Sequence, residues 1–415
     1  MVIGKGYTDR FLTEQEVEEV FEKGLGEIDV DGKRVVVIMP DGTRSAPVPL
    51  CFRLFVELLG GRVDTLDFLI ALGTHPSMDE EAICEHFGIT PEERREEYAE
   101  VGIYNHDWQE GLEEIGVIPA AKSRALSDGL LEQDIVVEIN GRLLDYDHII
   151  ICGPVFPHEI AGFSGGNKYF FPGVSGPDII DFTHWLGALI GNVNTIGHQN
   201  TPVRRALDEA ARFIHVPASC FSMVVKGDED LAGLYFGTPE ASQAEAAKLS
   251  ARVNVTYVDH TYDTVLAVMP DLYDDIWTAG KGMYKTEPIV ADGGKVIIYA
   301  PHIDEISYTH GAILDRIGYH VRDYFLARMD EFADVPRMVM AHATHVKGAG
   351  TYEEGEERPR VHVALATGVP RERCERVDLG YVDPETIEPR EWMGREEEGI
   401  LVVPRAGEVL YRLKT

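Results

Sequence analysis

The sequence predicts an α/β protein of two α/β domains with a cleft between them, the first a doubly wound, mainly parallel sheet. Three observations carry this expectation. The chain has 415 residues, more than one ordinary core accommodates. Between Arg34 and Phe87, apolar runs and amphipathic stretches alternate as strand, loop, helix, strand, loop, helix. After residues 257–261 the alternation starts afresh.

Residues 14–23 open the chain with an amphipathic pattern. Arg34 to Pro40 is an apolar run that predicts a buried strand and ends in Asp41-Gly42-Thr43-Arg44. Residues 47–59 predict a helix with Leu50, Phe52, Leu54, Phe55, Leu58 and Leu59 apolar. Residues 65–72 predict a second buried strand that ends in Gly73-Thr74-His75-Pro76. A helix over 79–87 follows, with acids in its first turn that suit the helix dipole. Residues 90–134 read as polar and irregular. Strands over 134–140 and 147–153 lead into the glycine-rich stretch Ala161-Gly162-Phe163-Ser164-Gly165-Gly166-Asn167-Lys168. A helix over 201–213, a strand over 222–225 and an alanine-rich helix over 240–253 complete the first half. The second half predicts a strand at 264–269, a helix at 274–283, a strand at 294–300 and a helix at 319–332. A strand at 336–341 follows, then a loop with His342, His345 and Lys347, and a terminal strand at 400–404. The expected domains are 1–258, rejoined by 399–415, and 259–398.

Lys and Arg total 38 against 71 Asp and Glu, a formal charge of -33. Such a surface repels nucleic-acid backbones and anionic membranes, so neither is an expected partner. An anionic substrate then needs a local positive site. The first residues lack a secretory signal and no stretch approaches a bilayer span. Cys51, Cys84, Cys152, Cys220 and Cys374 are odd in number and scattered, which points to a reducing cytoplasm.

In doubly wound sheets ligands sit outside the carboxyl ends of the strands, where Arg44, His75, His158 and Lys168 fall. Arg44 has the chemistry of a carboxylate clamp, and His75 that of a general base near neutral pH. Lys168 at the glycine bend offers an amine for a phosphate or for nucleophilic use. The bend departs from a phosphate loop, with Asn167 before the lysine and Tyr169 after it. Taken singly, each group also has a plain reading as a turn, a surface ion pair or a solvated side chain.

The ordered set Asp41-Gly42-Thr43-Arg44, Gly73-Thr74-His75-Pro76, Pro157-His158, Ala161 to Gly166 with Lys168, Pro172-Gly173 and His184 resembles the lactate racemase family. These are nickel-pincer-nucleotide-dependent 2-hydroxyacid racemases and epimerases, and the similarity is strongest from about residue 34 to residue 300. The resemblance implies pyridinium-3,5-bisthiocarboxylic acid mononucleotide carrying nickel, tethered through a thioamide to Lys168, with His184 completing the nickel coordination. It implies His75 and His158 as the two bases, Arg44 and Lys281 as cationic holds, and Asp41, Thr43, Gly165 and Gly166 around the cofactor. It also implies a reaction in which hydride leaves C2 of a 2-hydroxy acid and returns to the other face. Separate cofactor-synthesis and nickel-insertion proteins are implied partners, and a homodimer is compatible with the family.

The chain departs from that pattern at Gly42, where lactate enzymes tend to have histidine, and at Thr278, which replaces a glutamine. Beyond Tyr299 the likeness fades. Thr278, His345 and Lys347 then suggest a polar pocket and a substrate more polar than lactate, such as a sugar acid, because hydrogen-bonding pockets discriminate strongly. Two other classes compete: a zinc-dependent hydrolase using His75, His158 and His184, and a non-catalytic nucleotide- or phosphate-binding protein using the glycine bend alone.

Overall fold

The computed structural model describes residues 1–227 and 229–414, and the chain divides into two units. The first comprises Met1–Phe156, Phe163–Ile180 and Pro202–Val253; the second comprises Pro157–Gly162, Asp181–Thr201 and Asn254–Thr415.

Among the described residues, the first unit's sheet has seven strands. Five run parallel, in the order Ala218–Lys226, His148–Pro154, Arg34–Pro40, Thr65–Ala71 and Ile103–Asn105. Asp230–Gly237 and then Ile3–Gly6 add antiparallel to one edge. The strand order reverses between Arg34–Pro40 and His148–Pro154, the switch point expected of a doubly wound sheet. The central strands are buried on both faces, which explains why they read as unbroken apolar runs. Helix Glu14–Gly26 starts at a capping box of Thr13 and Glu16, and Asp79 caps Glu80–Phe87. Helix Val48–Leu59 supplies Phe52 and Phe55 to an aromatic core with Phe21, Phe68, Phe87 and Phe221, where Phe21 and Phe221 stack at 4.3 Å.

The second unit is built on a five-stranded parallel sheet, in the order Gly380–Tyr381, His362–Thr367, Val290–Ala300, Tyr262–Val268 and Ile400–Val403. A separate pair joins Val255–Val258 to Leu410–Leu413.

The α/β class and the doubly wound first sheet agree with the sequence reading; several elements do not. Residues 90–134 hold regular elements: helix Pro91–Glu96, strand Ile103–Asn105, helix Ala120–Leu126, and strand Leu112–Ile118 paired antiparallel with Ile135–Asn140. Leu112–Ile118 is buried only at Ile118, so no buried face marked it. The stretch read as a strand at 336–341 and a loop beyond it is one helix, Arg337–Lys347. A short apolar run cannot be told from a buried helix by periodicity. The expected helix at 274–283 breaks at Gly280 into Ile276–Ala279 and Lys281–Tyr284. The terminal residues do not rejoin the first domain: Ile400–Val403 pairs with Tyr262–Val268 and Leu410–Leu413 with Val255–Val258, all in the second unit. The boundary falls at Val253, and two inner segments also belong to the second unit. Among the described residues no helix is long and apolar enough to cross a membrane.

Burial also sets an acid limit on stability. Burial depresses the pKa of His106, His148 and His345 to about 4 each, from an ordinary 6.5. The folded chain therefore binds fewer protons than the unfolded chain between about pH 6.5 and 4. Their stabilising contribution is full above that window and is lost as pH falls through it. Each histidine is expected to remove up to about 3 kcal/mol across the window. Urea midpoints measured from neutral to acidic pH test this, and His148→Gln should make the fall shallower.

Candidate active site

In the first unit, neighbouring parallel strands Arg34–Pro40 and Thr65–Ala71 end in register, Pro40 opposite Ala71. Their loops therefore start side by side. His75 Nδ1 lies 2.5 Å from Asp41 Oδ2. Asp41 Oδ1 accepts from the Thr43 hydroxyl at 2.8 Å and the Thr43 N–H at 3.3 Å. Burial alone raises the Asp41 pKa, but His75, Arg44 and Thr43 outweigh it and hold the carboxyl well below the usual carboxylate range. An ionised carboxylate only accepts, so in its neutral form His75 carries its proton on Nδ1 and presents a lone pair at Nε2. Arg44 donates to the Thr43 carbonyl at 3.0 Å.

The glycine bend joins the same cluster. Gly73 N–H donates to the Gly173 carbonyl at 3.0 Å, which ties the His75 loop to Pro172-Gly173. Asp41 and Arg44 lie within electrostatic reach of Tyr169, the residue after Lys168. Lys168 stands in the 3₁₀ turn Gly166–Tyr169. Gly165 and Gly166 have φ of 80° and 59°, and a Cβ at Gly165 would lie 2.4 Å from Val155 Cγ2; both features require glycine. Buried Arg204 donates to the carbonyls of Gly165 and Phe163. Gln243 donates to the Ser164 carbonyl at 3.2 Å. Asn167 donates to Asp208 at 3.0 Å and to Glu240 at 2.8 Å. The backbone from which Lys168 emerges is thus held from two helices, Pro202–Ala211 and Pro239–Val253.

The second unit holds the remaining candidates. His158 is buried; its Nδ1 accepts from the Ile160 N–H at 3.1 Å and its Nε2 lies 3.5 Å from Glu159 Oε1. In the neutral ring Nε2 therefore carries the proton. In their neutral forms, His75 therefore presents a hydrogen-bond acceptor at Nε2 and His158 a hydrogen-bond donor. Lys285 Nζ donates to the Pro157 carbonyl, next to His158. His184 is half-buried on helix Pro177–Ile190. One turn earlier, Asp181 accepts from the N–H groups of Met338 at 3.1 Å and Arg337 at 3.2 Å, capping helix Arg337–Lys347.

On that helix His342 and His345 share a face, three residues apart, while Lys347 points elsewhere. Burial, then His345, His310 and His184, lower the His342 pKa well below its ordinary value. Its ring stacks on Trp277 at 4.1 Å, and Trp277 also meets His310 at 4.5 Å. Lys347 donates to the Asp378 carbonyl at 2.6 Å, a fold-bracing position. Thr278 donates to Asp275, whose carboxylate caps helix Ile276–Ala279; its hydroxyl has a structural partner. Buried Lys281 holds its Nζ 4.4 Å from the Tyr273 ring centre.

Asp41, Thr43, Arg44, His75, Gly165, Gly166 and Lys168 therefore belong to the first unit, and His158, His184, Thr278, Lys281, His345 and Lys347 to the second. Sequence reasoning did not find Arg204, Gln243, Asp181, Lys285 or Trp277, whose partners are distant in the chain. Among the described residues no three His, Cys, Asp or Glu side chains gather as a metal site.

Residues 12–196 match the family model of the lactate racemase N-terminal domain. A lactate racemase of Thermoanaerobacterium thermosaccharolyticum is 25% identical over 288 residues, covering 68% of this chain and 63% of that protein. The match thus spans less than two thirds of that relative's length. A crystal structure of a Thermotoga maritima protein from a structural genomics consortium is 33% identical, covers 97% of this chain and 99% of its own, and superposes with a TM-score of 0.89. The lactate racemase apoprotein of Thermoanaerobacterium thermosaccharolyticum is 19% identical, with a TM-score of 0.69 over 99% of this chain and 94% of its own, and is a match of fold.

Proposed function

We propose that the chain belongs to the lactate racemase family, whose N-terminal domain model residues 12–196 match, and that it is a racemase or epimerase of 2-hydroxy acids. The observation that carries the reading is the strand-end pair of His75 and Asp41 beside Arg44. It combines an oriented base with a guanidinium suited to a carboxylate.

In this reading Lys168 anchors the nickel-pincer nucleotide covalently and His184 is its protein ligand to nickel. When bound, that group supplies a reversible hydride acceptor. His75 Nε2 takes the proton of the C2 hydroxyl, and Asp41 stabilises the imidazolium that forms. His158 serves as the second acid and base, the role the family resemblance implies for it. Arg44 and Lys281 hold the substrate's carboxylate or the cofactor's anionic groups, which this acidic chain requires. Placing bases on both faces of one carbon is what inversion demands. The substrate is a 2-hydroxy acid more polar than lactate, such as a sugar acid. All five cysteines are free and buried, in keeping with a cytoplasmic setting.

Intact mass and metal analysis of protein co-expressed with cofactor-synthesis proteins and nickel test the reading. A nucleotide-sized adduct on Lys168 with near-stoichiometric nickel is expected. An unmodified chain carrying zinc overturns it.

A further inference from the structure

His345 is 3% exposed, and its two ring nitrogens meet different surroundings. Nδ1 hydrogen-bonds Asn192 Oδ1. Nε2 is buried and has no hydrogen-bond partner among the described residues. The far side of Asn192 decides which nitrogen carries the proton. Asn192 Nδ2 donates to Glu287 Oε2 at 3.3 Å and to the His345 carbonyl at 3.1 Å. Glu287 is 1% exposed; its Oε1 accepts from the Ala349 N–H at 2.7 Å and lies 3.7 Å from Arg360. A carboxylate and a carbonyl both accept, so the amide turns its NH₂ toward them and its oxygen toward His345. That oxygen also only accepts, so the imidazole proton sits on Nδ1. Burial keeps the ring neutral, its pKa lowered to about 4. Nε2 is then a bare lone pair.

A buried lone pair without a partner is costly. It matches a donor brought by a ligand and disfavours an anionic oxygen. The surroundings link it to the reaction. Glu159, the neighbour of His158, acts electrostatically on His345. His342, one turn earlier on the same face, is within reach of His184. Thr344 Oγ1 is likewise buried without a hydrogen-bond partner among the described residues. All of these residues belong to the second unit.

We infer that His345 Nε2 is a hydroxyl-accepting substrate subsite, held in its acceptor form by Asn192 and Glu287, that selects 2-hydroxy acids bearing a further hydroxyl. Acids ending in a methyl leave the lone pair unpaired, and those ending in a second carboxylate oppose it. The inference rests on the racemase reading and narrows its polar substrates to polyhydroxy acids. Asn192 and Glu287 act through His345 and are positioning residues.

Two measurements test it. Heteronuclear NMR of the histidine ring nitrogens of the intact chain, assigned with His345→Gln, should show Nδ1 protonated and Nε2 bare at neutral pH. A ring protonated on Nε2, or on both nitrogens, overturns the inference without reference to activity. The second measurement is kcat/KM of the cofactor-loaded enzyme on lactate, glycerate, an aldonate and malate. Glycerate or the aldonate should exceed both lactate and malate by about 10- to 100-fold. His345→Leu should bring the ratio of the best hydroxylated acid to lactate toward one, and Asn192→Leu should lower the same ratio if the first variant fails to fold. Lactate or malate turned over best would sink the inference and leave the racemase reading standing. A nickel-loaded enzyme that turns over no 2-hydroxy acid overturns both.

Discussion

Lys168→Ala is expected to yield a folded chain of unmodified mass, with nickel lost and racemase activity reduced by about 10,000-fold or more, because the cofactor carries the difficult chemistry. Only the side chain beyond Cβ is removed: the turn that bears it is held by Arg204, Gln243 and Asn167 through bonds that do not involve the Lys168 side chain. The melting temperature should therefore stay within a few degrees of the parent. Lys168→Arg sharpens the test, since guanidinium keeps the charge but is no nucleophile. Charge pairing with a phosphate predicts partial retention of nucleotide and activity in that variant, whereas a covalent tether predicts loss as complete as with alanine. Intact mass, nickel content and turnover measured on the same samples separate the two.

Asp41→Asn is expected to lower kcat by about 100- to 10,000-fold, with His75→Ala at least as damaging. The Thr43 N–H and hydroxyl both donate to Asp41 Oδ1. An asparagine there must keep its oxygen toward Thr43 and turn its NH₂ toward His75. The ring then accepts at Nδ1 and carries its proton on Nε2, where the substrate proton should go. The substituted residue is nearly isosteric, so KM should shift far less than kcat. Asp41→Glu keeps an acceptor for Nδ1 and should recover part of the rate. Equal loss of kcat in the asparagine and glutamate variants would argue that Asp41 serves the packing of the loop and not the tautomer of His75.

The strands that organise the first unit were legible because both of their faces are buried, so Arg34–Pro40, Thr65–Ala71 and His148–Pro154 stand out as apolar runs. The loops at their ends were legible for the same reason. That Pro40 lies opposite Ala71, which brings Asp41 to His75, is a pairing of strands and leaves no local mark in the sequence. The role of Asp41 as partner of His75 was hidden accordingly. Helix Arg337–Lys347 was misread because every residue from Met338 to Val346 is buried, so its pattern shows no polar stripe. Asn192 lies 95 positions from Glu287 and 153 from His345; no spacing rule reaches so far. Thr278 and Lys347 were read as pocket residues by type, and the neighbours that occupy them, Asp275 and the Asp378 carbonyl, are visible only in three dimensions.

The interleaving of the two units along the chain bears on how the protein is made. Segments Pro157–Gly162 and Asp181–Thr201 leave the ribosome well before the sheet of the unit to which they belong. Ile196 is buried against Tyr284 and Leu410, and Arg412 donates to its carbonyl. The last of these partners stands 216 positions after Ile196 in the chain. Until then the growing chain exposes apolar side chains from its middle while the aromatic core of the first sheet can already close. Vectorial synthesis thus leaves a long interval in which His158 and His184 lack their surroundings, and in which chaperones have a defined client.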